Sequence, residues 1–318
     1  MPKVSVIIPT YNRSRLLRGA LASVLNQSIA DFEVLVVDDG SDDDTASVIQ
    51  RISDKRVRYF RKDNGGLSSA RNFGLTNCTG EYVALLDDDD LFPPDYLKTM
   101  VEQLDQKPEY GMAYSLFRDT YPDGKQADGF LRDRYMSGWL TKDFFGRMPT
   151  ILPSATLYRT AVLAGFFFDE FLKDTEDLDF LVRLSARTPF LCVPQVSVTR
   201  RVMSDSMARI AADNLSPNVA LILERFYFHL GGDKIVPART AKRKISMMYR
   251  KLARKHCQLG HKQAAILLLR RAMAYHLFDR KHYKYLLKAL LLGKKRDKMP
   301  HWQMPKPLSP VITVTLKS

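Results

Sequence analysis

Four short apolar runs in the N-terminal part of the chain alternate with segments whose apolar residues recur at helical spacing. The first such segment begins at Ser14, and the second begins at Asp44 or Thr45. Each run is rich in β-branched and aliphatic residues, as buried parallel strands are. Strands that alternate with helices indicate right-handed crossovers and a largely parallel sheet. The pattern therefore predicts an α/β fold with strands at Val4–Ile8, Phe32–Val37, Val57–Phe60 and Glu81–Leu86.

The rest of the chain carries other patterns. Asp123-Gly124 is typical of a hairpin turn, here between strands at Met112–Tyr121 and Lys125–Leu131. Towards the C-terminus, apolar residues recur at helical spacing on both sides of a break at Gly260-His261. The same spacing returns near the end of the chain. The C-terminal region is therefore predicted to be helical, with apolar faces at Ile245, Met248, Tyr249 and Leu252, at Ala264, Ala265, Leu268 and Ala272, and at Leu286, Leu287, Leu290 and Leu291.

The net charge of +14 is unevenly distributed along the chain. Residues 1–120 contain 14 Lys and Arg against 19 Asp and Glu, whereas residues 201–318 contain 25 against 6. This shift predicts a boundary near residues 200–215, between a domain at 1–205 and a basic helical region at 206–318. Basic amphipathic helices bind anionic membrane surfaces, but they also form solvated faces, and both interpretations stay open. Nucleic acid is not an expected partner, because few aromatic residues interleave the basic ones.

Carboxylates follow two of the predicted strands. Asp87–Asp90 come directly after the run that ends at Leu86, and Asp38-Asp39 begin where the run ending at Val37 stops. The carboxyl ends of parallel strands form one edge of a sheet, where α/β proteins bind ligands. Like charges this close repel each other, and hard carboxylate oxygens suit Mg²⁺ or Mn²⁺. The acids are therefore interpreted either as a divalent-cation site or as solvated turn residues.

The cysteines and the apolar runs indicate the cellular compartment of the protein and its relation to the membrane. Cys78, Cys192 and Cys257 match neither a metal-ligand spacing nor a disulfide framework, so a reducing cytoplasmic compartment is expected. Met1-Pro2-Lys3 leads directly into a predicted strand, and we therefore expect no signal peptide. The longest apolar runs are too short to span a bilayer of ~30 Å. We expect a soluble protein, or one bound peripherally at the inner face of the membrane.

Five segments of the chain carry recognisable motifs: Val4–Asn12, Val36–Ser41, Asn64–Asn72, Leu85–Asp90, and Gly165–Glu170 followed by Glu176–Asp179. Together they resemble family 2 glycosyltransferases, inverting enzymes of the GT-A fold that use nucleotide-sugar donors. They occur in the family's order over roughly residues 1–190, and the combination is far more specific than any one segment. The resemblance implies a Rossmann-like, mostly parallel GT-A sheet flanked by helices. It also implies a donor-binding half at 1–110 and an acceptor half at 111–205.

The resemblance assigns roles to single residues. Asp89, together with Asp87, would hold Mn²⁺ or Mg²⁺. Asp39 would accept a hydrogen bond from the imide of uracil or thymine. Asp177 would be the catalytic base with Glu176 as the alternative, although acids in the first turn of a helix also stabilise its dipole. Further contacts to the donor are implied for Pro9, Thr10, Tyr11, Asn12, Gly66, Arg71, Asp87 and Asp88.

The sequence lacks some motifs found in members of the family, and these differences restrict the expected activity. The Gln-x-x-Arg-Trp block of the processive polymerases is missing, which favours transfer of a single sugar. Arg200 and Arg201 stand where many members have an Arg-x-His segment, and they are candidates for the diphosphate. Trp139 is a candidate platform for a sugar ring or an ordinary core or loop residue.

Two classes of function follow from these patterns. The first is metal-dependent transfer of one sugar to a hydroxyl of a glycan or lipid-linked acceptor, in the synthesis of cell-surface polysaccharide or glycoconjugate. The rival is a non-catalytic phosphate- or metal-sensing α/β domain of the response-regulator type, which also clusters acids at strand ends. That rival requires a repeat of five parallel strands.

Overall fold

The computed structural model of the chain describes residues 1–128, 135–202 and 216–291, with residues 299, 301, 303–309 and 311–312 near the end. Within these residues the chain forms nine strands and ten α-helices. The strands are β1 Val4–Thr10, β2 Phe32–Asp38, β3 Val57–Arg61, β4 Tyr82–Leu85, β5 Asp90–Leu91, β6 Met112–Thr120, β7 Gln126–Asp128, β8 Thr156–Arg159 and β9 Phe190–Arg201. The helices are α1 Ser14–Leu25, α2 Thr45–Gln50, α3 Leu67–Asn77, α4 Tyr96–Asp105, α5 Thr141–Phe144, α6 Glu176–Ser185, α7 Asn218–His229, α8 Ala238–Gln258, α9 Lys262–Tyr275 and α10 Arg280–Leu291.

The described residues form two compact units. The first contains those of Met1–Leu140 and Met148–Arg209 together with Ile312. The second contains Thr141–Arg147 and those of Ile210–Val311. The short helix α5 thus belongs with the C-terminal helices, which the charge distribution along the chain does not indicate. The division of the chain at residue 205 stays a prediction.

The four predicted N-terminal strands form the parallel half of one sheet. In the described part of the chain the strand order is β3-β2-β1-β4-β8-β6-β9-β5, and β7 pairs with β6. Strand β1 continues through Pro9 to Thr10, two residues further than predicted. Strand β4 pairs with β1 only as far as Ile7, so the N–H that Pro9 lacks is not needed on that side. The predicted hairpin at Asp123-Gly124 is confirmed by the pairing of β6 with β7, and the predicted strand residues 129–131 lie outside the described residues.

The other half of the sheet is mixed. Strand β8 is antiparallel to both β4 and β6, whereas β6 and β9 are parallel to each other. A response-regulator domain has five parallel strands in the order 2-1-3-4-5. Here β3 lies outside β2 and β4 takes the place beside β1, and the strands that follow β4 are mixed in direction, so the response-regulator alternative is wrong.

One hydrophobic core covers the sheet of the first unit. Strands β1, β2 and β4 are buried along their whole lengths, as their continuous apolar runs predict. Helix α1 buries the apolar face expected from its spacing, and α4 buries a second one. Burial of both sheet faces leaves the strand ends as the places where polar side chains collect. The helix residues in this core are Leu17, Ala20, Leu21, Val24, Ile49, Tyr96, Leu97, Met100, Val101 and Leu104.

The second unit is helical, as predicted. Helices α8 and α9 are separated by a turn in which Gly260 has a φ of +79°, a conformation that favours glycine. The predicted break at Gly260-His261 and the predicted last helix are therefore confirmed. Among the helices described, none combines the length and apolar character needed to cross a membrane.

Candidate active site

The two acidic segments lie at the same edge of the sheet. Strands β1, β2 and β4 are parallel, so their carboxyl ends meet there. The carbonyl of Thr10 accepts the Asp39 N–H at 2.9 Å, and the Thr10 hydroxyl donates to Asp88 Oδ2 at 2.7 Å. A single residue at the end of β1 thus links Asp39 to the acidic run, Asp87–Asp90.

Two arginines face the acidic run from different elements. Arg71 Nη2 on α3 donates to Asp87 Oδ1 at 2.7 Å. Arg13, just before α1, places its Nη1 3.4 Å from Asp88 Oδ1 and 3.2 Å from Asp89 Oδ2. Asp87 thus pairs with one arginine, whereas Asp88 and Asp89 share the other, and the two cations offset the repulsion between the carboxylates.

Burial and crowding change the acidity of the run. Burial raises the pKa of Asp88 to about 7, although its hydrogen-bond partners oppose the shift. Burial and the charge of Asp87 raise the pKa of Asp89. Burial also raises the pKa of Asp90 well above its ordinary value, and its Oδ1 accepts no hydrogen bond from the described residues. The run binds protons readily and therefore favours any added positive charge.

Arg71 connects the acidic run to the start of α6. Its side chain is only 2% exposed, and Nη1 donates to Glu176 Oε1 at 3.1 Å. Its guanidinium carbon lies 5.3 Å from the centre of the Phe168 ring. Burial opposes its charge, but the carboxylates of Asp87 and Glu176 raise the pKa of Arg71 above its ordinary value. Two acids more than 80 residues apart in sequence are thus held by one buried cation.

The first turn of α6 carries three acids with different environments. Asp179 is buried and pairs with Arg183 at 2.7 Å, which makes it part of the helix's own packing. Burial raises the pKa of Glu176 to about 7. Burial also raises the pKa of Asp177, whose Oδ1 accepts the Leu178 N–H at 2.7 Å. Asp177 enters no ion pair within the described residues, so of the three it is the carboxylate most available to another molecule.

Asp39 holds the loop between β3 and α3. Its Oδ1 accepts the Gly65 N–H at 3.0 Å and an ammonium hydrogen of Lys62 at 2.7 Å, and its Oδ2 accepts the Gly66 N–H at 2.7 Å. Gly66 has a φ of +88°, which favours glycine at this position. A carboxylate has about four lone-pair positions. Three are used here, so room for one further donor remains.

The loop after β1 is fixed through Asn12. Asn12 has a φ of +53°, its N–H donates to Ser41 Oγ at 2.9 Å, and its Oδ1 accepts the Asp42 N–H at 2.7 Å. Tyr11, immediately before it, is 45% exposed, so its ring is accessible for stacking. Pro9 is buried in β1.

The sequence model described as glycosyl transferase family 2 matches residues 5–171, more than half of the chain. The chain belongs to glycosyl transferase family 2. The family inferred from the five segments is thereby confirmed.

Relatives with curated sequences cover part of this chain. An uncharacterised glycosyltransferase of Rickettsia felis is 32% identical over 194 residues, which are 58% of this chain and 30% of that protein. A GalNAc(5)-diNAcBac-PP-undecaprenol β-1,3-glucosyltransferase of Campylobacter jejuni is 43% identical over 110 residues, 33% of this chain and 36% of that protein. The chain spans about a third of the length of these relatives.

Solved structures resemble this family 2 chain over most of its length. TarS residues 1–349 from S. aureus, in complex with UDP-GlcNAc, gives a TM-score of 0.61 at 20% identity and covers 91% of this chain and 90% of that one. The mannosyltransferase PcManGT from Pyrobaculum calidifontis, in complex with GDP-Man and Mn²⁺, gives a TM-score of 0.52 at 20% identity. The match covers 91% of this chain and 86% of that one. The likeness shows the GT-A fold, and the predicted fold class is confirmed.

Two cations in this family 2 site were missed by sequence analysis. Arg13 contacts Asp88 and Asp89, and Lys62 contacts Asp39. Neither lies within the quoted segments, although Arg13 directly follows one of them. A basic residue adjacent to a loop that meets an acidic run is a signal that sequence reasoning can use.

The guanidinium groups of Arg200 and Arg201 are engaged by protein atoms. Arg200 forms two hydrogen bonds with the carboxylate of Asp119, at 2.7 and 2.8 Å. Arg201 donates to the carbonyls of Asp88 at 3.0 Å and Asp89 at 2.6 Å, and to a carbonyl of α1 at 3.0 Å. Arg201 therefore fixes the backbone of the acidic run. Trp139 is 61% exposed, and its contact with an acceptor sugar stays a prediction.

Replacing Arg201 by methionine should loosen the acidic run. The carbonyls that it serves lose their donor, so we expect unfolding free energy to fall by about 1–3 kcal/mol and the affinity for a nucleotide sugar to fall with it. Chemical denaturation and calorimetric titration measure the two effects. Arg200→Met is the matched control for donor affinity, because it removes a neighbouring ion pair with Asp119 and leaves the carbonyls of Asp88 and Asp89 with their donor. Equal donor affinity in both variants would show that Arg201 does not position the run.

Proposed function

We propose that the chain is an inverting glycosyltransferase that moves one sugar from a nucleoside-diphosphate sugar to a hydroxyl of its acceptor. One observation supports this most strongly: Arg71 contacts both Asp87 and Glu176. These contacts bring a carboxylate proposed for the metal ion close to the acids proposed for the acceptor hydroxyl. Both halves of a displacement reaction then act on one anomeric carbon.

The donor's base is proposed to bind between Tyr11 and Asp39. The remaining lone pair of Asp39 suits an imide N–H, and the exposed ring of Tyr11 suits stacking. Uracil or thymine presents that imide, and both fit equally. TarS binds UDP-GlcNAc and PcManGT binds GDP-Man, so solved relatives of this fold differ in the base that they take.

Asp87 and Asp89 are proposed to hold Mn²⁺ or Mg²⁺. Their side chains are 25% and 17% exposed, they offer hard oxygen atoms, and the neighbouring charge of Asp87 helps to raise the pKa of Asp89. No group of three or more acidic, His or Cys side chains in the described residues is arranged to hold an ion. Two carboxylates therefore fit an ion that takes its other ligands from the phosphates and from water. Bound there, the ion would neutralise the charge of the departing diphosphate.

Asp177 is proposed as the general base. Its carboxylate takes the proton of the acceptor hydroxyl while that oxygen bonds to the anomeric carbon and the bond from this carbon to the diphosphate breaks. Attack opposite the leaving group inverts the configuration. Glu176 is tied to Arg71 and is better suited to fixing the start of α6 than to proton transfer.

The acceptor is proposed to be a glycan or a lipid-linked glycan, in polysaccharide or glycoconjugate synthesis. The name of the Campylobacter jejuni relative gives a glycan on undecaprenol diphosphate as its acceptor, which supports a lipid-linked one here. Such an acceptor lies at the membrane, so we propose a cytoplasmic protein that works at its inner face. Nucleic acid is not among the proposed partners.

Binding of the donor tests this proposal directly. We expect UDP or a UDP-sugar to raise the melting temperature in the presence of Mn²⁺, and Asp89→Ala to remove the increment that depends on the ion. Asp95→Ala is the control, because it removes an exposed aspartate six positions further along. Absence of any stabilisation by uridine, thymidine or guanosine diphosphates, with or without metal, would contradict the proposed function.

A further inference from the structure

Helix α10 exposes an apolar stripe. Side chains at about 100° per residue place Tyr283, Leu287, Leu290 and Leu291 within one arc of the helix. They are 46%, 60%, 53% and 76% exposed, respectively. Phe278, in the turn before the helix, is 86% exposed. Single exposed apolar residues are common on proteins, but five within fourteen positions form a patch that marks an interaction site.

A basic edge runs beside the apolar stripe. Lys281, Lys284 and Lys288 project from the adjacent arc of α10, and all three are exposed. The opposite side of the helix carries His282 and Ala289, which are buried in the second unit. One face of α10 therefore packs, and the other presents leucines bordered by cations.

Contacts within the second unit fix this orientation. Ser246 Oγ lies 3.1 Å from His282 Nε2, and Lys262 Nζ donates to the Leu290 carbonyl at 3.0 Å. Arg250 pairs with Asp279 just before the helix begins. The outer face is thus set by the fold of the unit and is presented without any rearrangement.

The charges of the surrounding helices identify the partner. Helices α8, α9 and α10 contain no Asp or Glu among their residues 238–258, 262–275 and 280–291. A second copy would bring the same positive charge to the contact, which like-charge repulsion disfavours. A nucleic acid would satisfy the lysines, but the leucines contact neither phosphates nor base edges favourably. An anionic lipid surface satisfies both features at once, because it presents acyl chains below a layer of negative headgroups.

We propose that the outer face of α10 docks the second unit onto an anionic bilayer. The apolar stripe and Phe278 would enter the boundary between headgroups and acyl chains, and the basic edge would lie on the anionic headgroups. This proposal deepens the peripheral location given under the proposed function. It does not depend on sugar transfer, because docking needs neither donor nor acceptor.

Co-sedimentation of the full chain with vesicles tests the proposal. Wild-type protein should pellet with vesicles of phosphatidylcholine and phosphatidylglycerol at least about tenfold more strongly than with phosphatidylcholine alone. Added salt should weaken that binding through screening. The double variant Leu287→Ser/Leu291→Ser should lose about tenfold or more of its partitioning, and Lys284→Gln/Lys288→Gln should lose mainly the preference for the anionic lipid.

The controls separate docking from general effects. Phe171→Ser removes an apolar side chain that is 68% exposed in the first unit, and it should leave partitioning unchanged. Circular dichroism and melting curves establish that each variant is folded. Unchanged pelleting of the double leucine variant would overturn the proposal, as would wild-type protein that binds a single-stranded oligonucleotide but does not pellet with anionic vesicles. Donor binding that fails while vesicle binding persists would instead count against the proposed transferase activity.

Discussion

The Asp177→Asn variant should bind the nucleotide sugar as wild type does and transfer it at least about 100-fold more slowly, because general-base catalysis contributes roughly 10²–10⁴. Asparagine keeps the size of the side chain and its hydrogen bond to the Leu178 N–H, but it does not accept a proton. Single-turnover transfer to an acceptor measures the rate, and calorimetry measures the donor affinity. Asp174→Asn, in the same segment, is the control and should transfer normally.

The result for Glu176 distinguishes the two candidate bases. Glu176→Gln should weaken its contact with Arg71 and so disturb both donor affinity and rate by a similar, smaller factor. Asp177→Asn should affect the rate alone. Full transfer by Asp177→Asn combined with loss of transfer by Glu176→Gln would move the base to Glu176.

The pH profile gives an independent check of the same assignment. Burial raises the pKa of Asp177 above 3.8, so protonation silences the base at a higher pH than for an ordinary aspartate. The rate should therefore fall as pH drops through this raised pKa and level off above it. The acid limb should disappear from the residual activity of Asp177→Asn.

The parallel half of the fold was predictable from sequence because each of its strands has a recognisable sequence pattern. Runs such as Val4–Ile8 are continuous and apolar, since helices cover both faces of the sheet. The acids at the ends of β2 and β4 were also predictable as neighbours, because parallel strands bring their carboxyl ends together. The residues at which the strands end were less predictable, as the extension of β1 to Thr10 shows.

The contacts of the site were not predictable in the same way. Arg71 bridges Asp87 and Glu176, which are 89 residues apart in the sequence (176 − 87), and no local pattern predicts that contact. The role of Lys62 depends on a loop that folds back on Asp39. The placement of Thr141–Arg147 with the C-terminal helices likewise follows from packing alone. Sequence order indicated which residues matter, and only the fold shows which ones contact each other.

Arg71→Met should destabilise the protein by about 3–5 kcal/mol at alkaline pH, because it then leaves two carboxylates in a buried site without their cation. Methionine fills much of the space and keeps the contact with the Phe168 ring. Denaturant unfolding measures the loss. Arg18→Met, which removes an ion pair whose side chains are 55% and 59% exposed, is the control and should cost about 1 kcal/mol or less.

The pH dependence of the loss in stability identifies the carboxylate that is left without its cation. Burial raises the pKa of Glu176 to about 7 even with Arg71 present, and removal of the guanidinium should raise that pKa further. Below pH 7 Glu176 is mostly protonated in both proteins, so its share of the loss should vanish there and grow as pH rises above 7. Arg71→Met/Glu176→Gln should recover part of the stability, because one of the two charges is gone. A loss that is the same at all pH values, or that the second substitution worsens, would show that Arg71 acts through packing and not through its charge.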